Sequence, residues 1–125
     1  MIRGKVNANR EAIIPLTVVG PKGRRLGIKA VVDTGFTGSL TLPPKLIAKL
    51  KLSWLCRQPG MLADGSVDLF DVYVASVVWD GRARIIEVES ADADPLVGMS
   101  LLYRHCFQVN VVVRGKVMIL PLKRQ

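Results

Sequence analysis

The chain reads as an all-β domain of hairpins, and three features of the sequence carry that reading. Its apolar runs are rich in β-branched residues and are strand-sized, as in "YVASVVW" from Tyr73 to Trp79. Turn signals recur at short intervals, and Asp64-Gly65 and Asp80-Gly81 are the strongest hairpin dipeptides in the chain. Only one stretch, "PPKLIAKLKL", has convincing helical periodicity.

In chain order, Met1–Ala8 and Ala12–Val19 read as two strands joined at "NANRE". "GPKG", Gly20–Gly23, is a tight turn, and a strand follows over Leu26–Val32. Asp33-Thr34-Gly35 interrupts the chain there, before a short strand over Ser39–Leu42. The helix is expected over Pro44–Leu50. Pro44 suits a first helical position, and Leu46, Ile47 and Leu50 form an apolar stripe with Lys45, Lys49 and Lys51 outside it. Asp64-Gly65 joins an arm around Gly60–Ala63 to one starting near Ser66, and Asp80-Gly81 joins Tyr73–Trp79 to Ala83–Val88. "PLVGMSLLYR" predicts a second short helix over Leu96–Leu102, and "FQVNVVVRGKVMILPL" predicts a closing hairpin turning at Arg114-Gly115. Met61, Met99 and Met118 read as core filler.

The bulk numbers set limits. With 125 residues there is room for one domain with a real core, 1–125 throughout, and not for two. Half the residues are hydrophobic and 22% are charged, which argues against disorder. No apolar run reaches the length of a membrane span, and the N-terminus has no continuous apolar region before a small-residue cleavage site. Two cysteines, Cys56 and Cys106, make no disulfide framework, so the expectation is free thiols in a reducing cytoplasm, with one bridge left open.

Net charge is +8, from 18 Lys and Arg against 10 Asp and Glu. The basic residues are scattered over different turns and faces, among them Arg24-Arg25, Lys49, Arg82, Arg84 and Lys123-Arg124. Three Phe, two Tyr and two Trp offer little to stack on bases. A solubilising surface is therefore favoured over a nucleic-acid site.

Asp33 follows a long apolar run and is not, like Asp80, the first residue of an Asp-Gly hairpin turn, and this makes it the candidate for chemistry. A lone turn aspartate is an ordinary structural residue. It becomes a catalyst only beside a second carboxylate, because two such groups held close cannot both ionise and so share a proton. No second Asp-Thr-Gly or Asp-Ser-Gly occurs in the chain. Other chemistries have less support. His105 and Cys106 lack a second histidine or a C-x-x-C, which disfavours zinc and leaves His105 as an interfacial or core-edge residue. Asp92 and Asp94 in "SADADP" fit a solvated loop better than a cation site. Ser39 and Ser66 have no histidine base in any recognisable arrangement.

"VVDTGFTGSLTLP", followed by a helix, a glycine-tipped hairpin at "ADGS" and then "PLVGMSLL", resembles the retropepsin-like aspartic proteases, most of all their small bacterial members. The similarity runs from about Leu26 to Val113. Asp-Thr-Gly alone is common; its pairing with Leu96-Val97-Gly98-Met99-Ser100-Leu101-Leu102 is more specific. The resemblance implies a closed β-barrel that forms one half of a pepsin-type bilobal site. Two identical chains would meet across a twofold axis, so the second carboxylate is Asp33 of another copy.

It also implies roles. Thr34 would hydrogen-bond across the dimer, and Gly35 would let the backbone turn closely beneath the aspartate. Ala63, Asp64 and Gly65 would tip a flap over bound peptide, and Leu96, Val97 and Gly98 would pack behind the catalytic loop. No cofactor, metal or membrane is implied. Two departures stand out. Phe36 occupies a position where the retroviral enzymes usually carry a small residue. The stretch after Gly98 is long, so the four-stranded terminal interface of the viral dimers is not carried over.

The leading expectation is a homodimeric aspartic endopeptidase. A catalytically silent domain of the same fold, used for dimerisation or peptide binding, is the alternative, and the intact Asp-Thr-Gly favours the enzyme. A small basic barrel that binds RNA or DNA is a third class, which salt-sensitive retention on nucleic acid would reveal.

Overall fold

The computed structural model describes residues 1–123. Ten strands and two helices run in the order β1 (Ile2–Val6), β2 (Ala12–Val19), β3 (Arg25–Val32), β4 (Leu40–Leu42), α1 (Pro44–Leu50), β5 (Ser53–Met61), β6 (Val67–Trp79), β7 (Arg82–Ser90), β8 (Leu96–Val97), α2 (Met99–Leu102), β9 (His105–Val109) and β10 (Lys116–Pro121). All ten strands belong to one sheet, in the order β5-β6-β7-β4-β8-β3-β2-β1-β10-β9. A further pairing of β6 with β2, Thr17 opposite Val78, closes β6, β7, β4, β8, β3 and β2 into a ring. That closure makes the expected barrel.

Alternation explains the core. In β2, Ile14, Leu16 and Val18 are buried while Pro15 is exposed, and in β6 Ala75, Val77 and Trp79 turn inward near the closed end. Leu40, Leu42, Val88, Val97 and Leu101 complete the centre at essentially zero exposure. Helix α1 adds Ile47 and Leu50, and stops where Lys51 takes a left-handed conformation (φ 53°). Its lysines remain exposed.

Several boundaries differ from the sequence reading. The arm before Asp64-Gly65 is a nine-residue strand, and β6 is one continuous strand of thirteen residues that serves both hairpins. The expected helix over Leu96–Leu102 is only α2. Leu96 and Val97 instead form β8, parallel to β3 (Val31 opposite Leu96) and antiparallel to β4 (Leu40 opposite Val97). Inserted between two strands, these residues satisfy their backbone groups across the sheet, which outweighs a helical tendency two residues long. The closing hairpin turns at Val113-Arg114, one residue earlier than expected, with Arg114 at φ 63°.

Met61 and Met99 are not core filler: both are exposed, the first at 76%, because the β5–β6 tip and the start of α2 have nothing packed over them. Cys56 and Cys106 are free thiols. Among the described residues no helix is long and apolar enough to cross a membrane. Lys123 lies at the end of the described chain, and Arg124 of the basic pair lies outside it.

Candidate active site

Asp33 follows directly on β3, whose apolar run Ala30-Val31-Val32 ends in the barrel wall between β2 and β8. Its main-chain N–H donates to Val97 O at 2.9 Å, and its own carbonyl accepts from Phe36 N at 3.2 Å. The strand and the turn after it are thus fixed from both sides. The side chain is half-buried, and its Oδ1 accepts from Gly35 N at 2.9 Å. Among the described residues no other donor reaches the carboxylate, so Oδ2 is open. Gly35 leaves this approach clear: a Cβ there would stand 3.2 Å from Oδ1. Thr34 is exposed at the crest of the turn.

The loop from Phe36 to Ser39 is held by the segment around Gly98. Gly98 N donates to Ser39 O at 3.0 Å, Met99 N to Phe36 O at 2.8 Å and Ser100 N to Gly38 O at 3.1 Å. The Ser100 hydroxyl donates to Thr37 O at 2.6 Å. Free N–H groups at the first turn of α2 are therefore spent on the carbonyls of the Asp33 loop. Gly98 has an extended backbone (φ −109°), so its need for glycine is one of space. A Cβ would strike Gly38 O, the Phe36 ring at 2.5 Å and Phe36 O at 2.6 Å.

Phe36, the residue that departs from the small side chain of the retroviral pattern, is half-buried with its ring over Gly38 and Gly98. Two glycines make room for it. Sequence reasoning missed three residues that support this arrangement. The buried Thr41 accepts from Leu96 N through Oγ1 at 3.0 Å. Arg84 donates to Ser100 O at 3.0 Å and Leu101 O at 3.2 Å, taking up the carbonyls at the end of α2. Glu89, on β7 opposite Thr41, lies near Gly38, and burial followed by repulsion from Glu87 pushes its carboxyl above the usual range. Isolated polar residues in short strands carry no motif, and nothing in the sequence marked them.

The second group of expected site residues is apart from the first. Ala63, Asp64 and Gly65 sit at the tip of the β5–β6 hairpin, all exposed. Asp64 Oδ1 accepts from both Ser66 N (2.9 Å) and Ser66 Oγ (2.6 Å), which hold its carboxyl below the usual range. Gly65 is at φ 85°. The tip is flanked by exposed Met61, Leu62, Val67 and Leu69. Lower in the hairpin Asp71 accepts from Trp54 Nε1 at 3.1 Å and Arg57 Nε at 3.2 Å, and these contacts lower its pKa in the same way.

His105 is a core-edge residue. Its ring meets Trp79 edge-on, with Trp79 Nε1 donating to Nε2 at 3.2 Å and Nδ1 lying 2.9 Å from Tyr103 O. Ser66 serves the Asp64 turn, and Asp92 and Asp94 are in an exposed loop.

No family model matches this chain, and no curated protein matches it. Solved structures do. A retropepsin-like aspartic protease from Rickettsia conorii superimposes with a TM-score of 0.58 at 24% identity, covering 95% of this chain and 87% of the other. The protease of a simian foamy virus aligns with a TM-score of 0.50 at 20% identity over 70% of this chain and 90% of its own. The fold is retropepsin-like.

Proposed function

We propose that this chain is an aspartic endopeptidase that acts as a homodimer, with water activated between the Asp33 carboxylates of two copies. One observation carries the reading. Asp33 is clamped at its backbone by Val97 and by its own loop, yet among the described residues its carboxylate has a single donor, Gly35 N–H, and an open oxygen. Asp64, by contrast, takes two donors from its own turn on one oxygen, the Ser66 hydroxyl and the Ser66 N–H. Asp33 is held in place and left unfinished, as a half-site requires.

In the dimer the two carboxylates share one proton. The ionised member takes a proton from a bound water as its oxygen bonds to the scissile carbonyl carbon; the protonated member donates to the carbonyl oxygen. Collapse breaks the C–N bond and delivers a proton to the departing amine nitrogen. Thr34 locks the two loops at the axis, and Gly35 keeps the space above the carboxylates open. Leu96, Val97 and Gly98 support the loop from behind. The β5–β6 hairpin is the flap: Ala63, Asp64 and Gly65 come down over an extended peptide and exclude water. Free Cys56 and Cys106 suit a reducing cytoplasm.

The test is digestion of a peptide library by the wild-type chain and by Asp33→Asn. Cleavage by the wild type that is absent in the variant supports the reading. Equal cleavage by both overturns it, and no cleavage by either favours the silent peptide-binding module. Activity should pass through a maximum in pH, because the pair works only when singly protonated. Excess Asp33→Asn chains mixed with wild type should depress activity beyond dilution, as mixed dimers lack one acid.

A further inference from the structure

Cations that are scattered along the sequence are gathered by the fold. From Ala12 to Ala63 the chain holds eight lysines and arginines and a single acid, Asp33. Two segments of this half meet at one end of the barrel. The β2–β3 turn, closed by Gly20 N donating to Arg24 O at 2.8 Å, carries Lys22, Arg24 and Arg25. Gly20 lies against the last turn of α1: a Cβ there would stand 2.4 Å from Leu50 O and 3.4 Å from the Leu52 side chain. Leu50 and Leu52 are buried, while Lys49 and Lys51, on either side of Leu50, are exposed. The pairing of β6 agrees with this placement. Val19 is opposite Ser76 and Ser53 is opposite Val74, so the chain before the turn and the chain after α1 share the edge of β6 away from β7.

Lys22, Arg24, Arg25, Lys49 and Lys51 are all exposed at this end. The ion pairs among the described residues are Met1–Asp80 and Arg57–Asp71, and neither uses any of the five. The dipole of α1 accounts for lysines at its end, but not for the three cations on the turn. Like charges gathered without an acid repel one another, and an anionic partner relieves that repulsion.

The patch offers charge and little else, which narrows the partner. Neither Gly20–Arg25 nor Pro44–Lys51 contains an aromatic residue to stack on a base. Ile47 and Leu50 are buried and Leu46 packs against the core, so α1 presents no large apolar side chain to a bilayer. An acidic stretch of polypeptide needs neither bases nor acyl chains to be held, and it fits such a surface. Its distance from Asp33 is set by β3, whose eight residues run from Arg25 at this end to Val32 beside the aspartate. At about 3.3 Å per residue the patch is ~26 Å from the carboxylate, a length that an extended peptide covers in about eight residues.

We propose that this basic end of the barrel is a second substrate-binding site, which takes an acidic stretch of polypeptide about eight or more residues from the bond that is cut. The substrate role rests on the peptidase reading above; the affinity for acidic peptide does not. Charge at this distance from Asp33 cannot act on the chemistry, since about 10 Å of salt solution at 0.1 M screens it. It acts by raising the local concentration of acidic chains and by holding them while the scissile bond finds the cleft.

The experiment uses full-length chains: wild type, Asp33→Asn, a triple variant with Arg24→Glu, Arg25→Glu and Lys49→Glu, and a control of equal net charge with Arg3→Glu, Arg82→Glu and Lys116→Glu. Circular dichroism checks that each is folded. A fluorescein-labelled glutamate decamer, followed by polarisation at low salt, should bind wild type, Asp33→Asn and the control, and should bind the triple variant at least about tenfold more weakly. Equal binding by the triple variant and the control overturns the site. So does tighter binding of a ten-nucleotide thymidylate strand, or of phosphatidylserine vesicles, through the same three residues. The second measurement takes a cleavable peptide with six glutamates placed about eight to twelve residues from the cut. Its kcat/KM should exceed that of the same peptide with glutamines by about tenfold in wild type. The triple variant should lose that advantage and cleave the glutamine peptide as wild type does. A glutamate tract without effect on kcat/KM overturns the substrate role. Binding that follows the charge pattern in a chain that cuts nothing leaves the acidic-peptide site standing and removes the peptidase reading.

Discussion

Of the loops that present an aspartate before a glycine, those of Asp33 and Asp64 are held in opposite ways. From Phe36 to Ser39 the Asp33 loop gives its carbonyls to N–H and O–H groups of Gly98, Met99 and Ser100, which are distant in sequence. The Asp64 turn is tied only to itself: Leu62 N to Ser66 O at 2.8 Å, Gly65 N to Leu62 O at 2.9 Å, and Ser66 to Asp64. Nothing lies within 4 Å of a Cβ placed on Gly65, whereas one on Gly98 would collide with backbone. The first arrangement fixes a side chain from elements far away in sequence, and the second rests on local contacts alone. The proposed protease, which would align a carboxylate and admit a peptide, has use for both.

The sharpest way to break this contrast is Asp33→Asn. We expect peptidase activity to fall by about 10²–10⁴-fold, with the melting temperature unchanged or raised, since the loop depends on backbone contacts that the substitution leaves in place. Loss of fold together with activity would show that the carboxylate is part of the scaffold. Gly98→Ala should do the reverse, attacking the scaffold. The new methyl group meets Phe36 and the Gly38 carbonyl, so a loss of about 1–3 kcal/mol in stability is expected, read as a lower melting temperature, with activity lost alongside.

At the Asp64 turn the effects should be smaller and local. Gly65→Ala forces an L side chain to φ 85°, at a cost of roughly 1–2 kcal/mol to the hairpin. Amide exchange should quicken between Met61 and Val67 while the barrel strands keep their protection. Because Ser66 holds Asp64 ionised below the usual range, its contribution to the turn is present above pH 3.8 and disappears as pH falls through the lowered value. Asp64→Ala should abolish that acid sensitivity.

The smallest effect concerns Glu89. Its carboxyl is raised above the ordinary 4.5, so the folded chain holds this proton more tightly than the unfolded chain does. The stabilisation is complete below 4.5 and is lost as pH rises through the raised value. Denaturation midpoints for Glu89→Gln measured across that window should vary less with pH than those of the wild type.

Much of this was legible in the residues. Pro44–Leu50 was readable because proline start and apolar stripe agree, and Asp80-Gly81 because both positions have positive φ, 51° and 81°, as a tight hairpin needs. Asp33 was marked by the apolar strand before it. The strand β5 was not, since Trp54, Leu55 and Met61 are exposed and alternation there follows no buried face. Leu96-Val97 was misread because two residues have no period, and what makes them a strand is the presence of β3 and β4 on either side. The clamps from Thr41, Arg84 and Ser100 are long-range pairings that no local pattern encodes.

The parallel pairings β3–β8 and β4–β7 join Val31 to Leu96 and Leu40 to Val88. These are distant partners, and contacts of that kind form late in folding because the intervening chain must first be confined. The carbonyls of the Asp33 loop find their donors only at Gly98, Met99 and Ser100. During synthesis on the ribosome, therefore, Asp33 emerges long before the segment that sets its geometry. A nascent chain that has not yet reached Gly98 carries the acid without the clamp. The order of the residues along the chain thus delays the fixing of the Asp33 loop until Gly98, Met99 and Ser100 have been made.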